Sequence, residues 1–166
     1  MATSFRGEHL NKVDTKGRMS IPAPFRRVLE ACDPEWKSGD APRLIVVYGG
    51  ESRSFLECFS VEAMDSVERK IAKLPRGSKK RKALQRLYMT QSIETTIDDT
   101  GRLVLPKNLR EKIGLESGVM CAGNGDTFEI WKPETYDEEI YAGLEEDDDF
   151  DPDTDPSEYL DGDEED

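Results

Sequence analysis

Val13-Asp14-Thr15-Lys16-Gly17-Arg18-Met19-Ser20-Ile21-Pro22 and Ile97-Asp98-Asp99-Thr100-Gly101-Arg102-Leu103-Val104-Leu105-Pro106 are one phrase written twice, 84 positions apart. Between residues 13–29 and 97–113 the Asp, Gly, Arg and Pro recur unchanged, and so does a later arginine, Arg26 with Arg110. Phe25 exchanges with Leu109 and Leu29 with Ile113, apolar for apolar. A trailing match pairs Leu56-Glu57-Cys58-Phe59 with Phe128-Glu129-Ile130-Trp131 at an offset of 72. The drop from 84 to 72 means that the first copy carries 12 extra residues. They fall around Asp33 to Arg43, a Pro-, Gly- and charge-rich stretch that reads as a longer loop. A repeat of this kind decides the architecture before any single element does.

Each copy has a physical reading. Met19/Ile21 and Leu103/Leu105 alternate as a half-buried strand does. Ile93, Thr95 and Ile97 give a partner strand in the second copy, whereas Leu10 and Val13 break the alternation in the first. Asp-x-x-Gly-Arg lies between the strands. Gly17 and Gly101 supply the positive φ of a tight hairpin turn, and Asp14 and Asp98 are placed to accept backbone N–H groups as Asx turns do. The following Pro opens a short helix, with Phe25, Val28 and Leu29 at helical spacing in copy one. Gly114 closes the equivalent helix in copy two. Leu44–Tyr48 and Phe55–Phe59 flank Gly49-Gly50 as a second hairpin, and Val119–Ala122 with Phe128–Trp131 are its counterpart. Gly123-Asn124-Gly125 is read as the turn between those two strands, not as a phosphate-cradling loop.

Each unit then ends in a helix. Ser60 caps the first, whose apolar stripe is Val61, Met64, Val67, Ile71 and Leu74. Pro133 opens the last, with Tyr136, Ile140 and Leu144 four apart. Ser78 caps a further helix carrying Leu84, Leu87 and Tyr88. A unit of roughly 50 residues buries too little surface to stand alone, so the two are expected to share one core. The divisions are 7–59 and 91–135 for the units, 60–90 for a basic helical connector, 136–144 for a C-terminal helix and 145–166 for an acidic tail. His9 is read as a packing residue, Trp36 as a residue of the inserted loop and Trp131 as core.

Composition narrows the function. Of 166 residues, 36% are apolar and 36% charged, and the formal charge is −13. Residues 145–166 hold 14 acids and no base, which leaves 23 basic against 22 acidic residues in 1–144. The acidity therefore belongs to the tail, which composition marks as disordered. Cys32, Cys58 and Cys121 have no metal-clamp or redox spacing and read as buried free thiols of a reducing cytosol. With His9 the only histidine, a helical zinc motif or a nucleophile–histidine site has little to be built from. The longest strongly apolar run, Leu44 to Tyr48, is far short of the roughly 20 residues a bilayer requires. The opening residues lack the apolar segment of a secretory signal, and no phosphate-binding glycine motif is present. These features point to a cytoplasmic protein with no membrane span, metal or cofactor, and they disfavour an enzyme and with it a small-molecule substrate.

The doubled Asp-x-x-Gly-Arg-φ-x-φ-Pro, with Arg6-Gly7-Glu8-His9 near the start, resembles the MraZ family of bacterial transcriptional regulators, built from two SpoVT-AbrB-type units. The resemblance covers about residues 5–144. It implies a β-rich α+β fold in which tandem SpoVT-AbrB-like repeats form one pseudo-symmetric swapped-hairpin β-barrel with flanking helices. It also implies ring-like homo-oligomers that bind short repeated boxes in double-stranded promoter DNA of the division and cell-wall gene cluster, usually as a repressor.

The residues suit that chemistry. Arginine's planar fork bonds phosphate or the O6 and N7 of guanine. The resemblance places Arg18 and Arg102 in the DNA-facing motif; Lys16 at the turn tip, Arg6 and Lys12 are further DNA-binding candidates. Asp14, Gly17, Asp98 and Gly101 orient the turns. The competing reading is a structural Asp–Arg pair in a hairpin, which duplication disfavours. Arg69 to Arg86 holds nine basic residues and no acid. Lys79, Lys80, Arg81 and Lys82 form its densest part, either a phosphate-tracking patch or a surface packed against a ring neighbour. The tail is either a solubilising segment or a competitor for that patch. Two other classes stay in view: an antitoxin-like module that wraps a partner with the acidic tail, and a hydrolase using Asp14 and Asp98. Carboxylates beside arginine stay ionised, which disfavours the hydrolase.

Overall fold

A computed structural model describes residues 3–146 together with 153, 155, 157 and 160. Most of the acidic tail, and with it the expected disorder, lies outside the described residues. The chain divides at Pro133 into two compact units. The fold of the first is β-rich α+β.

The first copy contributes β1 (Glu8–Lys12), β2 (Arg18–Ser20), α1 (Ala23–Ala31), β3 (Arg43–Val47) and β4 (Phe55–Phe59). A helical connector follows, α2 (Val61–Ala72) and α3 (Lys79–Gln85), ending in a π-helical turn at Arg86–Thr90. The second copy repeats the order as β5 (Ser92–Thr96), β6 (Arg102–Val104), α4 (Lys107–Lys112), β7 (Gly118–Gly123) and β8 (Thr127–Trp131). The second unit holds α5 (Pro133–Glu146), which runs two residues past the helix end expected from sequence.

Six strands form an antiparallel sheet in the order β1-β7-β8-β4-β3-β5. Exchanging the two copies reverses this order without changing it, so the repeat is also a pseudo-twofold of the sheet. Central to it are β4 and β8, where Glu57 faces its repeat partner Glu129. Burial pushes the Glu57 carboxyl above the usual range, opposed by Arg53. Among the described residues the pairings leave β1 and β5 as edges and do not close a barrel.

The strand pairing departs from the hairpin expected within each copy. β2 does not pair with β1 beyond an isolated Val13–Met19 bridge; it pairs with β6 of the other copy as a separate two-stranded ribbon. Likewise β1 pairs with β7, and β5 with β3, each across copies. The alternation failure at Leu10 has a physical cause. β1 is an edge strand whose outward face is solvated, and Leu10, 68% exposed, points outward.

One core lies beneath the ribbon, bounded by α1, α4 and the inner sheet face. Met19, Ile21, Leu103 and Leu105 reach it from the ribbon and its exits. Phe25, Val28 and Leu29, spaced i, i+3, i+4, are the buried face of α1. Phe5, Phe25 and Phe128 form a ring cluster with centroids 4.9–5.3 Å apart. The His9 ring stands edge-on to Phe25 at 5.1 Å, a packing role. A smaller core of Ile45, Val47, Phe59 and Met64 lies under α2, whose N-cap Ser60 accepts from the Ala63 N–H at 3.1 Å. All three cysteines are free and buried, and burial pushes the Cys121 thiol up to about 12. Trp131 is buried and Trp36 half-buried, its Nε1 donating to the Asp40 carbonyl.

Truncation of the ring cluster tests this shared core. Phe128→Ala is expected to cost about 3–5 kcal/mol. The check is a lowered urea midpoint with an unchanged denaturant slope.

Candidate nucleic-acid interface

Directly opposed residues of an antiparallel pair share a face. Arg18 opposes Val104, Met19 opposes Leu103 and Ser20 opposes Arg102. The middle pair is buried at 1% and 0% exposure. The outer face of the ribbon therefore presents Arg18, Ser20, Arg102 and the half-exposed Val104. The two arginines sit diagonally, one near each end, each following its own Asp-x-x-Gly turn.

The turns are built alike. In the first, Gly17 N–H donates to the Asp14 carbonyl and Asp14 N–H to the Arg18 carbonyl, both 3.0 Å. Asp14 Oδ1 accepts from the backbone N–H groups of Lys16 and Arg18 at 3.0 and 2.9 Å. Its Oδ2 accepts from Arg18 Nε at 2.6 Å. In the second, Asp98 Oδ1 accepts from the Thr100 and Arg102 N–H groups, both at 2.9 Å, and from the Thr100 hydroxyl at 2.7 Å. Arg102 Nε donates to Thr100 Oγ1 at 2.8 Å and lies 3.5 Å from Asp98 Oδ2. The backbone N–H groups of Arg18 and Arg102 are the main causes that hold the Asp14 and Asp98 carboxyls below the usual range. Each guanidinium is thus fixed through Nε, which leaves its terminal nitrogens to reach outward.

Two arginines given no role in the sequence reading, Arg26 and Arg110, pack against the turn glycines. Gly17 and Gly101, at φ 87° and 80°, leave no room for a side chain. A Cβ on Gly17 would meet the Leu105 carbonyl oxygen and Arg110 Nε of the second copy. One on Gly101 would meet the Arg26 guanidinium of the first. Arg110 Nε donates to the Leu105 carbonyl at 3.0 Å, and a terminal nitrogen reaches the Thr15 carbonyl at 3.4 Å. Each repeat arginine of the helices therefore buttresses the other copy's turn. The signal was present: Arg26 and Arg110 are the fifth unchanged position of the repeat.

The remaining candidates are scattered. Lys16 is exposed at the first turn's tip. Lys12 is exposed on β1 opposite Gly118, and the exposed Arg6 has its backbone against Gly123. Lys79, Lys80 and Lys82 are exposed on α3, whereas Arg81 is half-buried and donates to the Leu74 carbonyl at 2.9 Å, capping the end of α2. Among the described residues no His, Cys, Asp and Glu gather as a metal would need, and no helix is long and apolar enough to cross a membrane.

Comparison with known proteins agrees in kind. A family profile described as "MraZ protein, putative antitoxin-like" matches residues 89–155. A protein named transcriptional regulator MraZ from Ruegeria pomeroyi is 57% identical over 163 residues. Its namesake from Ruegeria sp. strain TM1040 is 56% identical over the same length. Each alignment covers 98% of this chain and 98% of the relative. A namesake from Acidithiobacillus ferrooxidans is 35% identical over 137 residues, 80% of this chain and 85% of its own.

Two outcomes follow from the turn geometry. Gly17→Ala is expected to destabilise by at least about 1–2 kcal/mol from the left-handed backbone alone. It should exceed Gly101→Ala in thermal denaturation, because its Cβ meets a backbone carbonyl where that of Gly101 meets a movable side chain. The depressed carboxyls contribute stability that is present above the ordinary carboxylate range and lost as pH falls through their lowered values. The double variant Asp14→Asn/Asp98→Asn should therefore flatten the acid limb of melting temperature against pH below about pH 4.

Proposed function

Since the chain belongs to the MraZ family, we propose that it is a transcriptional regulator that grips double-stranded promoter DNA with the outer face of the β2–β6 ribbon. The observation that carries this reading is the pair of repeat arginines on one solvent-facing ribbon surface, each anchored through Nε. The major groove admits a two-stranded ribbon. Arginine terminal nitrogens suit guanine or phosphate, Ser20 suits either a base edge or phosphate, and Val104 suits a thymine methyl.

The finer reading continues in the same terms. Residues 7–59 and 91–135 are two SpoVT-AbrB-type units whose exchanged hairpins make a single barrel-like body. Arg18 and Arg102 are the principal DNA contacts, with Lys16, Arg6 and Lys12 as phosphate contacts. One ribbon is a small footprint. A closed homo-oligomeric ring multiplies it across tandem short boxes, where effective concentration raises avidity. Occupation of the division and cell-wall cluster promoter then represses it. The antitoxin-like description of the matched profile supports a second reading, in which the acidic segment holds a partner; co-purification of a small basic protein would favour it.

The test is a titration of promoter duplex, read by gel shift. Arg18→Ala and Arg102→Ala are each expected to weaken specific binding by about tenfold or more, the value of one good arginine–base pairing. Unchanged affinity in either variant, with the assembly mass preserved, would overturn the assignment.

A further inference from the structure

The two turns hold their arginines by different means, and the difference lies at one position. Thr100 is the repeat counterpart of Lys16. In copy one the carboxylate takes the arginine directly: Asp14 Oδ2 accepts from Arg18 Nε at 2.6 Å, and the turn uses only the backbone N–H of Lys16. In copy two a hydroxyl stands between. Arg102 Nε donates to Thr100 Oγ1 at 2.8 Å, and Thr100 Oγ1 donates to Asp98 Oδ1 at 2.7 Å. The other carboxylate oxygen, Asp98 Oδ2, lies 3.5 Å from Arg102 Nε.

This relay runs in one direction. A hydroxyl has a single proton to give. The Asp98 carboxyl is held below the usual range first by the Arg102 N–H and next by the Thr100 hydroxyl, so it stays ionised and the hydroxyl proton is committed to it. The lone pairs of Thr100 Oγ1 are left to Arg102. The hydroxyl is also fixed in place. The Thr100 N–H donates to the same Asp98 Oδ1 at 2.9 Å, and a β-branched side chain is stiff at χ1. The Arg102 guanidinium is therefore set one hydroxyl away from its carboxylate, whereas Arg18 sits against its own. Charge at the turn tips makes that setting matter. Copy one exposes Lys16, which draws phosphate; copy two exposes Asp99, which repels it. Arg102 meets an acceptor through geometry, without help from the field of its turn.

We infer that Thr100 is the positioning residue of Arg102 and sets which acceptor that arginine meets, while its counterpart Lys16 supplies charge alone; the role rests on the ribbon being the DNA-binding face. Without the hydroxyl, Arg102 Nε closes on Asp98 Oδ2 or swings free. Either movement carries the terminal nitrogens away from a bidentate acceptor, yet leaves the charge of the face unchanged.

The experiment measures discrimination, the ratio of the full-length protein's affinities for the promoter duplex and for a duplex of equal length and composition in scrambled order. Thr100→Val exchanges the hydroxyl for a methyl group. It is expected to lower the ratio by roughly three- to tenfold, the ordering cost of one long side chain, with affinity for the scrambled duplex unchanged. Thr100→Ser should restore the ratio. Lys16→Thr should weaken binding to both duplexes alike and flatten the salt slope by about 0.9, with the ratio in place. Thr100→Lys carries the residue that the other turn already accommodates, so the test does not depend on the valine variant folding. It should raise affinity for the scrambled duplex and still lower the ratio. An unchanged ratio in Thr100→Val or Thr100→Lys, no rescue by serine, or an equal loss of ratio in Lys16→Thr would overturn the role of Thr100. Arg102→Ala separates this role from the reading beneath it. If Arg102→Ala lowers the ratio and Thr100→Val does not, the positioning role alone falls; if Arg102→Ala changes nothing, the DNA-binding face falls with it.

Discussion

Two backbone hydrogen bonds and two arginine side chains, all reaching from one copy to the other, hold the candidate interface in shape. The Leu105 N–H donates to the Gly17 carbonyl at 2.8 Å, and the Ile21 N–H donates to the Gly101 carbonyl at 3.0 Å. Arg110 and Arg26 then occupy the space left by the absent glycine side chains. Each copy's turn is thereby held by the other copy's strand exit and helix. Each turn is closed by its own aspartate but is packed from outside by the other repeat, so the paired ribbon forms only when both copies are folded together. The buried Met19–Leu103 pair beneath it adds the apolar drive that a two-stranded ribbon in water lacks.

The pseudo-symmetry is broken at two places that matter chemically. Asp33, Arg43 and the loop between them belong to copy one alone. Arg43 binds Asp33 through two nitrogens at 3.0 and 2.7 Å, and this hydrogen-bonded pairing holds the Asp33 carboxyl below the usual range. The extra segment is thus pinned at its two ends by one bidentate pair. The turns also differ in charge. Copy one carries Thr15 and Lys16 where copy two carries Asp99 and Thr100. Arg18 is held by a carboxylate, Arg102 by a hydroxyl with the carboxylate further off. One ribbon therefore has a more cationic and a less cationic end, which gives a palindromic scaffold a direction.

Local grammar was readable in the residues; pairing partners were not. Ser60, Ser78, Pro22 and Pro106 mark helix starts through satisfied donors or a missing one, and those rules operate within a few residues. The Asp-x-x-Gly-Arg turns were readable for the same reason. What β2 pairs with depends on energies between segments 84 residues apart, and alternation of Met19 and Ile21 is the same whichever strand lies alongside. The roles of Arg26 and Arg110 stayed hidden because each acts on a turn in the other copy. Arg81 shows the reverse difficulty: within a run of identical charges, nothing in composition marks the one side chain that turns inward to cap Leu74.

The Asp–Arg pairs at the turns are poor stabilisers and good orienters. Both partners of each pair are more than a third exposed, where an ion pair is largely screened by water and adds little to folding. Yet each aspartate also receives two backbone N–H groups of its own turn. Those bonds keep the carboxylate ionised and immobile, so it can fix one nitrogen of a long, otherwise free side chain. The rotamer entropy lost in that ordering is spent during folding and not at the moment of contact. A preorganised guanidinium then binds an acceptor with a smaller ordering cost than a mobile one. Solvent exposure, which makes the pair weak as a staple, is the condition that lets its outer nitrogens meet a ligand.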